Sequence, residues 1–272
     1  GRINSQGARL GLLGVRNTRT LINVAGLEDK LLNSDGRAPN LMTQCFQAVT
    51  DPLVLGHASI DAMVARAAAR PRYQELSRLA FGTPELTETR LRSAMVYFLR
   101  RIKSDDLPAD RLAAGLEVDL PSSALRGWAA FQKHCIVCHA PETDWRDESF
   151  HNIGMSSRAA NNDLGRATIT GNTADNYAFA TPTLREIAKT APYMHDGSLK
   201  DLDEVVGFFA AGGMYRRNGQ VLRDPRIDPL VASIRYSARE AADLKDFLEL
   251  GFQGENYPLF DNPFKKKAAG AK

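Results

Sequence analysis

The sequence predicts a mostly α-helical protein of two lobes, and three observations lead to this prediction. Apolar residues recur at helical spacing through residues 41–102, a charged stretch with two prolines follows, and capped helical patterns return in the second half. The 272 residues suffice for one large domain or two small ones. We therefore predict a first lobe over 1–105, a connector over 106–121, a second lobe over 122–256 and a tail over 257–272.

The helices of the first lobe are predicted from apolar periodicity and from their end signals. Asp51-Pro52 ends the first helix, because the residue before a proline avoids helical geometry. Thr83-Pro84-Glu85 is a favourable helix start, since proline suits the first helical turn. The predicted helical stretches cover residues 41–49, 59–70, 73–81 and 87–102.

The second lobe is predicted to begin with a helix over 122–134, capped by Ser122. The apolar face of this helix is predicted to hold Leu125, Trp128, Ala129 and Phe131. The polar segment 140–177 is long enough to indicate a loop that surrounds a ligand.

Two further helices are predicted from complete capping signals. One follows Asp201, with Glu204 three residues later, and ends at Gly212-Gly213. The other begins after Ser237 and ends at Gly251.

The pentapeptide Cys135-Ile136-Val137-Cys138-His139 is the attachment signature of c-type haem. Each thiol adds to a vinyl group of the haem, and the adjacent imidazole becomes an iron ligand. A zinc site would need a second ligand pair, which Cys45 does not supply. A redox dithiol would follow a strand and begin a helix, whereas this motif ends a helix. We predict one covalent haem c in this chain, with His139 as its proximal ligand.

Composition excludes several classes of protein. The formal net charge of +3 is small and does not indicate nucleic-acid binding. The sequence has no apolar run that could span a membrane. Covalent haem is attached outside the bacterial cytoplasmic membrane, so we expect an exported, periplasmic protein whose 272 residues are a mature or trimmed form. Cys45 is predicted to be a free, buried thiol.

Longer motifs make the chain similar to a known family. The second half contains Thr-Pro-Thr-Leu-Arg at 181–185 and Thr-Ala-Pro-Tyr-Met-His-Asp-Gly-Ser-Leu at 190–199, and the first half contains Arg-Asn-Thr at 16–18 and Asp-Gly-Arg-Ala at 35–38. With the haem motif, these runs resemble the bacterial dihaem cytochrome c peroxidases and the related MauG proteins. The resemblance implies two cytochrome c-like lobes, of which the first is incomplete in this chain.

The resemblance also implies further ligands. Calcium would lie between the lobes, bound by the Asn17 side chain and by the backbone carbonyls of Thr190 and Pro192, which are oxygen ligands of the kind that calcium prefers. The alternative is that Asn17 makes a turn and Pro192 a kink. Arg185 is predicted to pair with a haem propionate, or else to form a surface salt bridge. His195 is predicted to hydrogen-bond a propionate or the backbone.

The sequence departs from the family at positions that carry its chemistry. Members have a first haem motif ahead of the Arg-Asn-Thr run, so either this sequence is trimmed or the first haem is absent. Ser34 replaces a tryptophan that passes electrons, and Val54 replaces a catalytic glutamate that moves protons. Gln44 matches a polar residue of the distal pocket. Phe209 stands at the position of the distal ligand of the second haem and cannot bind iron.

The sequence therefore does not identify the sixth iron ligand. Met214 is the leading candidate, because a thioether is a usual axial ligand in cytochromes c. Met194, His195 and Tyr215 are weaker candidates, and a five-coordinate iron is the remaining alternative.

These observations lead to a function hypothesis with two alternatives. The first is periplasmic electron transfer, or a role as the haem subunit of a larger redox assembly, with a redox protein or other subunits as partners. The second is a dihaem peroxidase or MauG-like oxidase whose first haem lies upstream of this chain. The third is an architectural subunit in which haem supports folding.

Overall fold

The computed structural model describes residues 6–8, 11–27, 30–155, 162–217, 220–222 and 224–254, with the backbone alone at 215–217 and 220–222. The predicted tail, 257–272, lies outside the described residues. Helices dominate the described part of the chain, as the sequence predicts. None of its helices combines the length and the apolar character that a bilayer crossing requires.

The first lobe contains four helices among its described residues, and their bounds follow the predicted stretches closely. They are α1 (Leu41–Thr50), α2 (Ile60–Ala68), α3 (Pro71–Phe81) and α4 (Glu88–Leu99). The start of α4 agrees with the predicted stretch 87–102, because the Thr87 hydroxyl accepts the Arg90 amide and caps the helix there. Thr83-Pro84-Glu85 does not begin a helix. The small core of this lobe consists of Val24, Leu32, Ala38, Leu41, Val96 and Leu99.

The connector contains a helix that the two prolines obscured in the sequence. Helix α5 (Pro108–Ala113) has its proline in the first turn, where the missing amide has no partner to lose. Leu107 and Ala109 are buried in the core of the second lobe. The first half of the connector is therefore packed against the second lobe.

The second lobe is held together by two long helices that cross closely. The helices of this lobe are α6 (Ser122–His134), α7 (Ala167–Thr170), α8 (Leu202–Ala210), α9 (Pro229–Ser233) and α10 (Ala238–Leu250). Helix α6 packs against α10, and a Cβ atom at Gly127 would lie 1.9 Å from the carbonyl oxygen of Asp243. Only glycine permits this approach of the two backbones.

Two sequence predictions for α6 are corrected. Pro121 is its N-cap residue and makes no side-chain bond, so Ser122 is the first helical residue and not the cap. The buried face holds Ala124, Gly127, Ala130 and Phe131, while the predicted Leu125 is 40% exposed. Small residues face α10 because they allow close contact, a preference that hydrophobic periodicity alone does not report.

An aromatic cluster fills the space beside this crossing. The ring centroids of Phe131 and Phe247 are 5.3 Å apart, and those of Trp145 and Phe252 are 4.9 Å apart in an edge-to-face arrangement. Such contacts add stabilisation beyond the burial of apolar area. The cluster supports the segment that follows the haem motif, because Trp145 belongs to that segment.

The capping predictions for α8 and α10 are confirmed. The Asp201 carboxylate accepts the Glu204 amide at 3.0 Å. Ser237 and Glu240 form the reciprocal capping box at the start of α10. In α8 the fully buried aromatic residue is Phe208, whereas Phe209 is partly buried against the core.

Short antiparallel strands complete the second lobe. They are β1 (Phe150–His151), β2 (Phe179–Ala180), β3 (Tyr215–Arg217) and β4 (Gln220–Leu222). Strand β1 pairs with β2, and β3 pairs with β4. The β1–β2 pair joins the middle of the long polar segment to the residues that follow it, and it holds His151 near Cys138.

The two lobes are joined by polar contacts from the segment that precedes α1. Arg16 donates to both oxygens of Asp163, at 2.6 and 2.7 Å, and to Asp35 at 2.6 Å. The Asn17 amide donates to the carbonyl of His195 at 2.7 Å. This segment therefore belongs to the interface and fixes the relative position of the lobes.

Candidate haem-binding site

Helix α6 delivers the haem motif as a tight turn at its carboxyl end. The Cys135 amide continues the helical pattern by donating to Phe131, and the His139 amide donates to the Cys135 carbonyl at 3.0 Å. Both cysteines are free thiols. Burial raises the pKa of Cys135 to about 12 and that of Cys138 to about 11, so both remain neutral at neutral pH. The turn thus presents two neutral thiols beside one imidazole.

The His139 ring is oriented by a single backbone contact. Its Nδ1 atom lies 2.7 Å from the carbonyl oxygen of Trp145. A carbonyl can only accept a hydrogen bond, so Nδ1 carries the proton and Nε2 keeps its lone pair. Burial lowers the pKa of His139, which also favours the neutral ring. A neutral imidazole with a free Nε2 is the form that binds haem iron.

His151 forms a charged bridge between two carboxylates beside the Cys138 thiol. His151 contacts Asp228 through Nδ1 at 2.6 Å and Asp147 through Nε2 at 2.7 Å. These two carboxylates, Asp147 first, raise the pKa of His151 to about 9. Ligand atoms of Cys138, Asp147 and His151 lie within 4.8 Å of one another. The bridge therefore connects the motif to the loop that precedes α9.

That loop borders an open cavity of about 670 Å³. The cavity is lined by Pro225, Ile227, Pro229, Ala232 and Ser233. Gly213 has a positive φ of +72° and packs against Ile227, so the turn that carries Met214 meets the cavity wall.

The candidates for the sixth iron ligand occupy different environments. Met214 is half-buried and follows the turn against the cavity wall. Met194 packs against the core of the second lobe. His195 stacks on Phe179 at 3.9 Å between ring centroids, and its Nε2 is buried with no partner among the described residues. The side chain of Tyr215 lies outside the described residues.

Arg185 is buried and already paired. Its Nη1 and Nη2 atoms donate to Asp110 at 2.7 and 2.9 Å, and its Nε donates to Asp144 at 2.5 Å. The two carboxylates neutralise the guanidinium, so its predicted pairing with a propionate gains no support. The alternative of a surface salt bridge is wrong, since Arg185 is only 7% exposed. This group fastens the connector helix to the second lobe.

The residues that the resemblance implies for calcium meet in part at the interface between the lobes. The Asn17 side-chain amide lies 2.5 Å from the Pro192 carbonyl and 3.4 Å from that of Met194. The Thr190 hydroxyl donates to the Ile187 carbonyl. Asn17 and Pro192 are thus brought together, as a shared ligand would require.

Ser34 and Val54, which depart from the family, and Gln44, which matches it, lie in different surroundings. The Ser34 carbonyl accepts the Ala180 amide at 2.8 Å across the interface. Val54 is exposed at the end of the turn after α1, and Gln44 lies 3.4 Å from the side chain of Asn33. None of these three side chains holds a buried charge.

Sequence reasoning missed the residues that support the motif from a distance. Trp145, Asp147 and Asp228 orient His139 and His151, and Asp144 shares Arg185 with Asp110. The only sequence signal was the density of acidic residues after the motif. Their partners depend on tertiary contacts, which spacing does not reveal.

The residues present fit a covalent haem c. Two neutral thiols and a histidine with a free Nε2 are held in one turn, and His195 Nε2 and Arg146 Nε are buried without partners among the described residues. When bound, haem supplies an iron centre that gains and loses single electrons. In this chain, His139 would hold the iron and the two cysteines would hold the porphyrin.

Comparison with known proteins agrees with this geometry. Residues 2–117 match the family described as di-haem cytochrome c peroxidase. The MauG methylamine utilization protein of Methylorubrum extorquens is 38% identical over 222 residues, which cover 79% of this chain and 59% of that protein. The corresponding MauG of Methylophilus methylotrophus is 34% identical over 211 residues, covering 75% of this chain and 60% of the relative.

A solved structure shares the fold. The crystal structure of a MauG-like protein associated with microbial copper homeostasis superposes with a TM-score of 0.79 and 26% identity, covering 94% of this chain and 82% of that one. The fold is mostly helical, and the family that these comparisons indicate contains haem c. The chain belongs to the family of dihaem cytochrome c peroxidases and MauG proteins. It spans about three fifths of the length of the curated relatives that it matches.

Proposed function

We propose that this chain carries one covalent haem c on Cys135 and Cys138 and transfers electrons, either to a redox protein or within a larger periplasmic assembly. The observation that carries the proposal is the contact between His139 Nδ1 and the Trp145 carbonyl, which prepares Nε2 as an iron ligand. The two neutral thiols beside it supply the attachment points.

The role of the protein in electron transfer is to hold the iron in one environment in both oxidation states. The His139 ring is held by a backbone carbonyl, and the aromatic cluster of α6 and α10 holds Trp145 in turn. A rigid ligand sphere lowers the reorganisation that accompanies each electron. Met214 is the proposed sixth ligand, since it is half-buried and a thioether is a usual axial ligand in cytochromes c.

The test is an absorption spectrum of the purified protein in both oxidation states, with an intact mass and a pyridine haemochrome count. We expect one haem per chain and a low-spin spectrum. His139→Ala should remove the low-spin spectrum, whereas the control His57→Ala in the first lobe should leave it unchanged. Absence of covalent haem would refute the proposal.

The second candidate is an oxidase or peroxidase of the MauG type. It is favoured by Phe209, which stands at the distal-ligand position implied by the family resemblance and leaves an open iron if Met214 does not bind. A high-spin spectrum that changes on addition of peroxide, together with a second haem in the mature protein, would select this function. A low-spin spectrum that is indifferent to peroxide selects electron transfer.

Calcium belongs to the same proposal. In the arrangement described above, rotation of the Asn17 amide by 180° would place its Oδ1 beside the Pro192 carbonyl, giving two oxygen ligands side by side. Removal of calcium with a chelator should then lower the melting temperature, and Asn17→Ala should abolish this effect. An unchanged melting temperature in the presence of the chelator would contradict calcium binding.

A further inference from the structure

One cluster of buried and half-buried charges, to which both lobes and the connector contribute, is left unbalanced. Arg19, Arg146 and Arg185 lie near one another, and the carboxylates that pair with them are Asp110 and Asp144. Three guanidinium groups therefore share two carboxylates among the described residues. A buried positive charge without a partner is costly, so the arrangement favours the binding of a further anion.

Arg19 carries most of this imbalance. Within the described part of the chain, its guanidinium donates only to three backbone carbonyls, those of Asn33, Ala180 and Thr181, at 3.4–3.5 Å. Burial, followed by repulsion from Arg146, lowers the pKa of Arg19 to about 10. Asp35 opposes both effects, but among the described residues no carboxylate forms a direct ion pair with Arg19.

Arg146 is only partly compensated. It lies 3.1 Å from Asp144, which Arg185 already engages, and its Nε atom is buried with no partner among the residues described. It is 6% exposed, so solvent offers little substitute. Its Nη2 also donates to the Asn23 carbonyl at 3.3 Å, so Nε–H is the donor that remains for a carboxylate.

The other carboxylates that act on this pair already have cations of their own. Asp35 accepts hydrogen bonds from Arg16 and Arg37. Glu148 is exposed and pairs with Lys30 at 2.8 Å. Neither can neutralise the cluster fully.

The pair lies next to the haem motif. Arg146 directly follows Trp145, whose carbonyl holds His139, and directly precedes Asp147, which lies beside Cys138. Arg19 approaches the same place from the first lobe through its contact with Thr181. A haem attached at the motif brings two propionate carboxylates into its surroundings.

We propose that Arg19 and Arg146 form the carboxylate-binding pair that receives a propionate of the haem in the second lobe. The inference rests on the proposed attachment of haem at the motif. It gives the first lobe a direct part in tuning this haem, because one of the two arginines comes from that lobe.

The test is the midpoint potential of the holoprotein, measured by redox titration of the haem absorption. A nearby cation favours the more negative, reduced haem, so its removal must lower the potential. In Arg19→Gln and Arg146→Gln we expect the ratio of oxidised to reduced haem at a fixed potential to rise about tenfold, equivalent to about 59 mV for a one-electron couple. Arg146→Lys, which keeps the charge, should recover most of the wild-type potential.

Arg37→Gln is the matched control, since Arg37 is an arginine of the first lobe whose charge Asp35 already balances. Equal potentials in wild type and in both glutamine variants would overturn the inference, as would an equally large shift in the control. If Arg146→Gln does not fold, the potential of Arg19→Gln alone tests the inference. This variant should fold, because the contacts of Arg19 with the second lobe are to backbone carbonyls. A wild-type protein without covalent haem would instead refute the proposed function.

Discussion

Replacement of Gly127 by alanine probes the crossing of α6 and α10 more directly than any other single change. The added Cβ atom would lie 1.9 Å from the Asp243 carbonyl oxygen and 2.7 Å from Cβ of Phe247. Nonbonded heavy atoms pack at about 3.5 Å, so the helices must separate by about 1.5 Å. The Asp243 carbonyl oxygen belongs to the helix backbone, so it cannot rotate away as a side chain could.

The magnitude follows from two opposed effects. Alanine favours a helix over glycine by about 1 kcal/mol. Overpacking of a close contact costs about 1–3 kcal/mol, and this contact is at the upper end because a helix backbone must move. Separation of the helices also strains the paired hydrogen bonds from Arg126 to Asp243, at 2.7 and 2.8 Å. We expect the free energy of unfolding to fall by about 2 kcal/mol.

The assay is urea denaturation of the holoprotein followed by circular dichroism. Gly207→Ala is the matched control, because Gly207 is also in a helix interior and an added Cβ atom there meets no atom within 4 Å. The control should gain up to about 1 kcal/mol from helix propensity alone. If Gly127→Ala were as stable as the control, the account of the crossing would be refuted.

Three other predictions concern charge and capping. Folding raises the pKa of His151 from 6.5 to about 9. The stability due to its bridge to Asp147 and Asp228 is therefore complete below pH 6.5 and is lost as the pH rises through about 9. In His151→Gln, denaturant titrations at increasing pH should lack this decline. Ser237→Ala should lower the free energy of unfolding by about 1 kcal/mol in the same titrations, since it removes the N-cap of α10. Glu186→Ala should cost about 3 kcal/mol, because this carboxylate is fully buried and its partners would be left unsatisfied.

The predictions for Ser237 and Glu186 each have a control in the same chain. Ser122→Ala changes a serine in the first turn of α6 that is not the cap, and it should leave stability unchanged. Glu142→Ala removes an exposed carboxylate and should be nearly neutral. For His151, equal pH dependence in the variant and the wild type would show that the bridge contributes nothing.

Local signals in the sequence predicted those elements whose causes are local. The capping box of Ser237 and Glu240 predicts the start of α10, and Asp201 predicts the start of α8, because a cap needs only residues three positions apart. The haem motif is likewise a contiguous run. The prediction of Ser122 as a cap failed because a serine near a helix start has the same signature whether or not its hydroxyl reaches the backbone.

Features that depend on two distant segments were not predictable. The small residues on the buried face of α6 are explained only by the approach of α10. Pro108 suggested a break in the chain, but it lies in the first turn of α5, and that helix depends on the packing of Leu107 and Ala109 in the core. The Trp145 carbonyl at His139 is set by an aromatic cluster drawn from several elements. The general position of the site could therefore be predicted, but not its supporting contacts.

The contacts made by the first lobe have a consequence for how the chain would respond to cleavage. Residues 115–117 between α5 and α6 are exposed, which makes them accessible to proteases. A protease that cuts there would separate the sequence into two pieces, yet Arg16 would still bind Asp163, and Asp110 would still bind Arg185 and Trp145. The nicked molecule would therefore stay together as a non-covalent heterodimer and elute at its original size. The connector determines the order of the halves along the chain, and the interface alone keeps them associated.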